Sequence, residues 1–183
     1  VSGGAVQEWG DVEALSQGAG VSRVLAELLH RAGQRDAGAA AAFLQPALAS
    51  INDPFLLRNL QAGATRLRAA IANREDVVVL GDYDVDGTTA VAVFYSFLKH
   101  VGFDCDFYIP DRYKEGYGFS EAGVAFAHEN NFSLIVTLDC GIKDGPRIEL
   151  CNAHGIDVIV CDHHTPEALP PAFAIVNPKR KDC

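Results

Sequence analysis

The sequence predicts an α/β fold: a parallel sheet with helices on both faces, preceded by a short helical segment. Two observations carry that expectation. From Val77 onward the short apolar runs "VVVL", "FDCDFYI", "SLIVTL" and "IDVIVC" alternate with helix-patterned stretches of about 10 to 15 residues, the signature of βαβ units. Upstream of Val77, apolar residues recur at helical spacing with no strand-like run between them. The 183 residues are 49% hydrophobic and 21% charged, which suffices for one domain core plus a small appendage and does not fit a disordered chain.

Taken in order, residues 1–20 are glycine-rich, carry the single Trp, and read as a tail or a short helix around Asp11 to Ser16. Residues 21–75 read as an N-terminal helical segment. In "VSRVLAELLHRAG", Val21, Val24, Leu25, Leu28 and Leu29 form one apolar face, and Gly33 ends the helix. A second short helix starts at an Asp36 cap and stops at Pro46. A third repeats the spacing through Leu56, Leu60, Ala64, Leu67 and Ile71, with Arg66, Arg68 and Arg74 to the outside. Residues 76–183 then form the sheet domain, with helices after "VVVL" and near 120–130 and 144–154. "FDCDFYI" alternates, placing Phe103, Cys105, Phe107 and Ile109 on one face, and belongs nearer an edge than its neighbours.

The bulk properties exclude several classes. No apolar run approaches the roughly 20 residues needed to span a bilayer, and the first ten residues have neither a basic region nor an apolar stretch, so a cytoplasmic protein is expected. Five cysteines without a CxxC pair read as reduced packing thiols and argue against structural zinc. A net charge of −9 ordinarily opposes a nucleic-acid partner. Its distribution weakens the objection: residues 77–183 hold 16 acids against 8 bases, and several of those acids fall where a cation would neutralise them.

The stretch "LGDYDVDG" at 80–87 crowds three aspartates directly after an apolar strand. Two carboxylates about 4 Å apart repel by roughly 4 kcal/mol at an effective dielectric near 20, so the arrangement calls for a cation between them. A calcium loop counted from Asp82 would need a glutamate where Val93 stands and a helix where the strand stands, which argues against it. Three strands end in such residues: "VVVL" runs into Asp82, Asp84 and Asp86, "SLIVTL" into Asp139, and "IDVIVC" into Asp162, His163 and His164. Parallel strands gather their carboxyl ends at one rim, where ligands collect in open α/β sheets. Carboxylates with one or two imidazoles suit Mn²⁺ or Mg²⁺. So many of them imply two ions, an arrangement that activates a hydroxide and clamps a phosphoryl group. Singly, each of these residues also reads as a strand-end turn residue or helix cap, and recurrence at three strand ends is what favours the metal. Cys140 and Cys161 read as packing, and His30, His100, His128 and His154 as solvated or partly buried helix residues.

"GDYDVDG", "TLDCG" and "CDHH", in that order and spacing, resemble the DHH phosphoesterases. "YIPDRYKEGYG" and the helical preface with "FLQP" and "NDPFLLRNL" resemble the single-strand-specific exonuclease branch of that family. The resemblance implies a Mn²⁺- or Mg²⁺-dependent phosphodiesterase that degrades single-stranded DNA from its 5′ end in recombination and repair. By the same resemblance Asp82, Asp84, Asp86, Asp139 and His163 are metal ligands, His164 orients the scissile phosphate and Asp162 supports the histidines. Single-stranded DNA is the implied partner, with a single-strand-binding protein as a further one and no membrane.

In the loop, Arg112 offers a fork for phosphate and Tyr117 a face for a base. Gly116 and Gly118 admit a close backbone, and Glu115 completes the candidate substrate contacts. The alternative is a surface loop in which Arg112 pairs with Asp111 or Glu115. Lys179, Arg180 and Lys181 read as a solvated charge run. The chain stops at "NPKRKDC", before the family's fourth motif and second domain, so an incomplete fragment is expected. Two other readings stay open: a family member acting on short oligonucleotides or cyclic dinucleotides, and a non-catalytic replication scaffold.

Overall fold

The computed structural model describes the backbone of residues 3–183 and the side chains of residues 10–183. It divides into two compact units, Val1–Asp53 and Pro54–Cys183.

The first unit is helical: α1 (Gly3–Ala19), α2 (Arg23–Arg31) and α3 (Ala37–Leu44). The opening stretch, expected as a tail or short helix, is thus a 17-residue helix. Ser22 caps α2 by accepting from Leu25 N, and Asp36 caps α3 by accepting from Ala39 N at 2.8 Å. The three helices meet through Val12, Leu15, Ala26, Leu29 and Ala40. The apolar face expected on α2 is rotated: Ala26, Leu29 and His30 are buried, whereas Val24 and Leu28 are exposed. A nine-residue helix that shares its core with α1 and α3 buries a narrower stripe than its spacing suggests.

The second unit carries the sheet. Its third helical stretch, α4 (Leu60–Asn73), was expected to belong with the helical preface but groups with the sheet. Burial is the reason: Ala70, with Leu67 and Ile71 beside it, fills one core with Ile159 and Ala174. The strands are β1 (Val77–Gly81), β2 (Asp106–Tyr108), β3 (Leu134–Leu138), β4 (Asp157–Cys161) and β5 (Ala174–Val176). All pair in parallel, in the order β2-β1-β3-β4-β5. Between them run α5 (Val85–His100), α6 (Glu121–Glu129) and α7 (Gly145–Ala153).

Residues alternate across the sheet into two cores. Val78, Leu80, Ile135, Val158 and Val160 pack with Val124, Ala127, Ile148 and Cys151 of α6 and α7. Val77, Val79, Leu134, Val136 and Ile159 pack with α4 and with Val91 and Leu98 of α5. Both faces are therefore covered, which explains why the central strands read as continuous apolar runs.

Two details depart from the sequence reading. "FDCDFYI" contributes a strand of only three residues at the sheet edge, and Phe107 is exposed, so its alternation does not survive. β5, "AIV", was not expected, being too short for a periodic signal. Among the described residues no helix is long and apolar enough to cross a membrane.

Candidate metal centre

The chain leaves β1 for one edge of the sheet and returns, two elements later, to β3 on the other side of β1. Strand order thus reverses between β1 and β3, the position where an open α/β sheet forms its crevice. The register then aligns three acids. Gly81 pairs with Leu138 and Leu138 with Cys161, so Asp82, Asp139 and Asp162 are each the first residue beyond neighbouring, in-register strand ends. Adjacent strands lie about 4.8 Å apart, which brings the three carboxylates to one rim.

Asp82 is fully buried. Its Oδ1 accepts from Gly118 N at 3.1 Å, while its Oδ2 is buried without a hydrogen bond. Its backbone is clamped: a Cβ on Gly87 would lie 2.5 Å from the Asp82 carbonyl oxygen, so only glycine lets α5 start this close to β1. Asp84 is the N-cap of α5, accepting from Gly87 N at 2.9 Å, and Asp86 lies in the first turn.

Asp139 is held in the left-handed region, at φ 62°, by its own N–H donating to Cys161 O. Its Oδ1 is buried and makes no hydrogen bond, although His163 Nε2 approaches it to 2.9 Å. The contact is close enough for an ion pair but misdirected for a hydrogen bond, so the oxygen keeps a free lone pair. Burial, then the nearby Asp84 charge, raises the Asp139 carboxyl above its ordinary value, and the two histidines oppose that rise. Ligand atoms of Asp139, His163 and His164 all fall within 4.8 Å of one another. The carboxylates of Asp82, Asp84 and Asp86 stand outside that tight group. Asp84 and Asp86 are near enough for their charge to act on Asp139, and Asp86 lines an open pocket of about 430 Å³ with Asp139, Asp162 and His163.

Asp162 is turned inward. Its Oδ1 accepts from His163 N, His164 N and His164 Nδ1 at 2.7, 3.0 and 2.7 Å, and its Oδ2 accepts from Ile142 N at 3.0 Å. Burial works against its charge, but these bonds outweigh it and hold the carboxyl below its ordinary value. Because Asp162 accepts from Nδ1, His164 presents Nε2 outward, where Tyr117 Oη lies 3.0 Å away. Burial and the charges of Asp82, Asp139, Asp162 and Asp84 push the Tyr117 phenol upward. Cys161 lines the same pocket with its thiol pushed up to about 11 by burial, and Cys140 is buried, so both are packing groups.

In the loop, Glu115 is wholly committed to internal bonds: Oε1 accepts from Asp111 N, and Oε2 from Tyr108 Oη and Ser120 Oγ. It is placed as a brace of the loop and not as an open substrate contact. Arg112 does not take the pairing considered for it. Asp111 faces Lys114 at 3.8 Å, and the Arg112 guanidinium instead lies 4.7 Å from the Tyr83 ring centroid. Gly116 and Gly118 both have positive φ, at 82° and 84°. Arg180, expected in a solvated run, is buried, bonded to Asn59, Ile175 O and Asp182. Tyr83 was missed from sequence; its position between Asp82 and Asp84 was the available signal. His128 and His154 are exposed and stack at 3.9 Å between centroids, away from this rim.

Carboxylates and imidazoles gathered at the switch point of an open parallel sheet define an α/β protein with a cation-type donor set. The DHH family, N-terminal domain, matches residues 76–183, and the chain belongs to that family. It is 38% identical over 173 residues to the single-stranded-DNA-specific exonuclease RecJ of Bacillus subtilis (strain 168), covering 94% of this chain and 22% of that protein. It is 41% identical over 109 residues to RecJ of Escherichia coli (strain K12), covering 58% of this chain and 19% of that protein. A crystal structure of exonuclease RecJ bound to manganese superposes with a TM-score of 0.65 at 34% identity, covering 72% of this chain and 34% of that one. RecJ of Thermus thermophilus in complex with Mn²⁺ gives 0.67 at 29% identity, covering 94% and 23%. The chain therefore spans about a fifth to a third of the length of these relatives.

Proposed function

We propose that this chain is the metal-binding part of a RecJ-type exonuclease that removes nucleotides from the 5′ end of single-stranded DNA in recombination and repair. The observation that carries the reading is Asp139 Oδ1, buried without a hydrogen bond and 2.9 Å from His163 Nε2 in the lining of the switch-point crevice. Donor chemistry fits Mn²⁺ or Mg²⁺: mostly carboxylate oxygen with imidazole nitrogen. Asp84, Asp139 and His163 would hold such an ion, with Asp82 and Asp86 as further ligands. When bound, the ion supplies positive charge that acidifies water and neutralises phosphate oxygens.

The chain's own groups do the rest. Asp162 fixes the His164 ring through Nδ1, which leaves Nε2 beside Tyr117 Oη at the rim where the scissile phosphate would be oriented. Arg112 offers its guanidinium edge to a phosphate oxygen pair, and the half-exposed Tyr117 ring offers a face to a base. Glu115, Gly116 and Gly118 shape the loop that presents them. The domain reading takes residues 76–183, the stretch the family matches, as the DHH domain, after a helical preface at 21–75 whose last helix, α4, packs on the sheet. A cytoplasmic location and a single-strand-binding protein as partner complete the reading.

Calorimetric titration of Mn²⁺ tests it. The wild-type chain binds the ion and Asp139→Ala does not, whereas absence of binding by the wild type would favour a non-catalytic scaffold.

A further inference from the structure

We propose that Tyr83 is a positioning residue whose ring holds the Arg112 guanidinium in place by a cation–π contact, leaving its N–H groups free for a phosphate. The proposal rests on the single-strand reading above and adds a residue to it.

Tyr83 sits between Asp82 and Asp84 on the turn that joins β1 to α5. Asp82 is fully buried and pressed against Gly87, and Asp84 is committed to capping α5, so the backbone at Tyr83 is fixed from both sides. Arg112 and Tyr117 come from the irregular loop after β2, and both are exposed. That loop is tied down at Glu115, through Tyr108 and Ser120, and at Gly118, through Asp82. Neither tie reaches the Arg112 side chain. The Tyr83 ring does: Arg112 Cζ lies 4.7 Å from its centroid, and the Tyr117 ring meets it edge-on at 6.1 Å. Tyr117 in turn reaches His164 at 3.0 Å. Arg112, Tyr83, Tyr117 and His164 thus form one continuous row of contacts that ends within 4.8 Å of Asp139.

Donor use explains why a ring serves better than a carboxylate here. A salt bridge to Asp111 or Glu115 would occupy the N–H donors with which Arg112 grips phosphate. A cation–π contact holds the charge over the ring without pairing the guanidinium with a carboxylate, so its N–H donors stay available for phosphate. An exposed cation–π contact of this kind is worth about a two- to fivefold change in an equilibrium.

Two measurements on the whole 183-residue chain test this. In NMR spectra the Arg112 Cδ protons should shift upfield by ring current in the wild type and in Tyr83→Phe, and lose that shift in Tyr83→Leu. An unshifted wild type overturns the contact whatever DNA does. With Mn²⁺ present, binding of a phosphorothioate-linked hexathymidylate is read by fluorescence anisotropy. Tyr83→Phe should match the wild type, and Tyr83→Leu should bind about two- to fivefold more weakly with Mn²⁺ affinity unchanged. Tyr83→Leu combined with Arg112→Gln should be no weaker than Arg112→Gln alone. Additive losses, or loss of Mn²⁺ binding in Tyr83→Leu, overturn the positioning role alone. If the wild type binds Mn²⁺ and shows the ring-current shift but does not bind the oligonucleotide, the single-strand reading falls and takes this role with it.

Discussion

The Tyr117 hydroxyl lies 3.0 Å from Nε2 of His164, whose Nδ1 is held 2.7 Å from Asp162. Both ring nitrogens of His164 are therefore engaged within the chain, and its outward one by a residue from a loop 47 positions away. Since Asp162 accepts from Nδ1–H, Nε2 accepts the phenolic proton. Removing that hydroxyl with Tyr117→Phe should leave Nε2 to solvent. Long-range ¹H–¹⁵N spectra of the imidazole should show a changed Nε2 resonance with Nδ1 still protonated. A hydroxyl this exposed costs about 1 kcal/mol or less to remove, so the melting temperature should move little.

Asp139 carries the opposite kind of tension. A buried carboxylate oxygen without a hydrogen bond, on a non-glycine residue at positive φ, is tolerated only where something else benefits. Asp139→Asn removes the charge yet keeps a side chain that accepts the left-handed backbone. Without divalent ions it should be more stable than the wild type, by about 1 kcal/mol in urea unfolding. With saturating Mn²⁺ the order should reverse, because only the wild type gains from binding.

Asp84 serves the helix as well as the proposed ion, through the bond from Gly87 N. Two substitutions separate these contributions. Asp84→Ala loses the cap and should cost about 1 kcal/mol in stability, whereas Asp84→Asn keeps it and should cost little. Both should weaken Mn²⁺ binding in calorimetry.

Acid stability should depend on a site remote from the rim. Arg66 donates to Glu75 at 2.7 Å and to Asp157 at 2.6 Å, and Ser133 adds a bond to Glu75. The bonds from Arg66 and Ser133 lower the Glu75 carboxyl below its ordinary value of 4.5. A carboxyl depressed on folding contributes stability above its unfolded pKa, and that contribution is lost as pH falls through the folded value. Urea unfolding of the wild type should therefore weaken from about pH 5 downward, and Glu75→Gln should flatten that part of the profile.

Much of this was legible in the chain because it is local. The cap at Asp36 is a short-range hydrogen bond written in adjacent residues; those at Ser22 and Asp84 are equally local, but only the structure brought them out. Strands β1, β3 and β4 announced themselves by apolar runs because both of their faces are covered. The rotated face of α2 and the three-residue β5 were not legible, since the first depends on which neighbour a helix meets and the second is shorter than any period. Glu115 illustrates the same limit at the site. Its residue type suits a substrate contact, and only the meeting of Tyr108, Ser120 and Asp111 N around it makes it a brace.

By itself the sequence determined that acidic and imidazole side chains stand at the ends of three strands. It also determined that a glycine, Gly87, stands where a helix begins against the first of them. The tertiary structure decided that Asp82, Asp139 and Asp162 lie side by side, that Asp162 faces inward while Asp139 keeps an open lone pair, and that Arg112 rests on Tyr83. The reason is physical: the register between strands is a property of hydrogen-bond ladders joining segments far apart in the chain. A slip of one residue would turn each of these side chains to the other face.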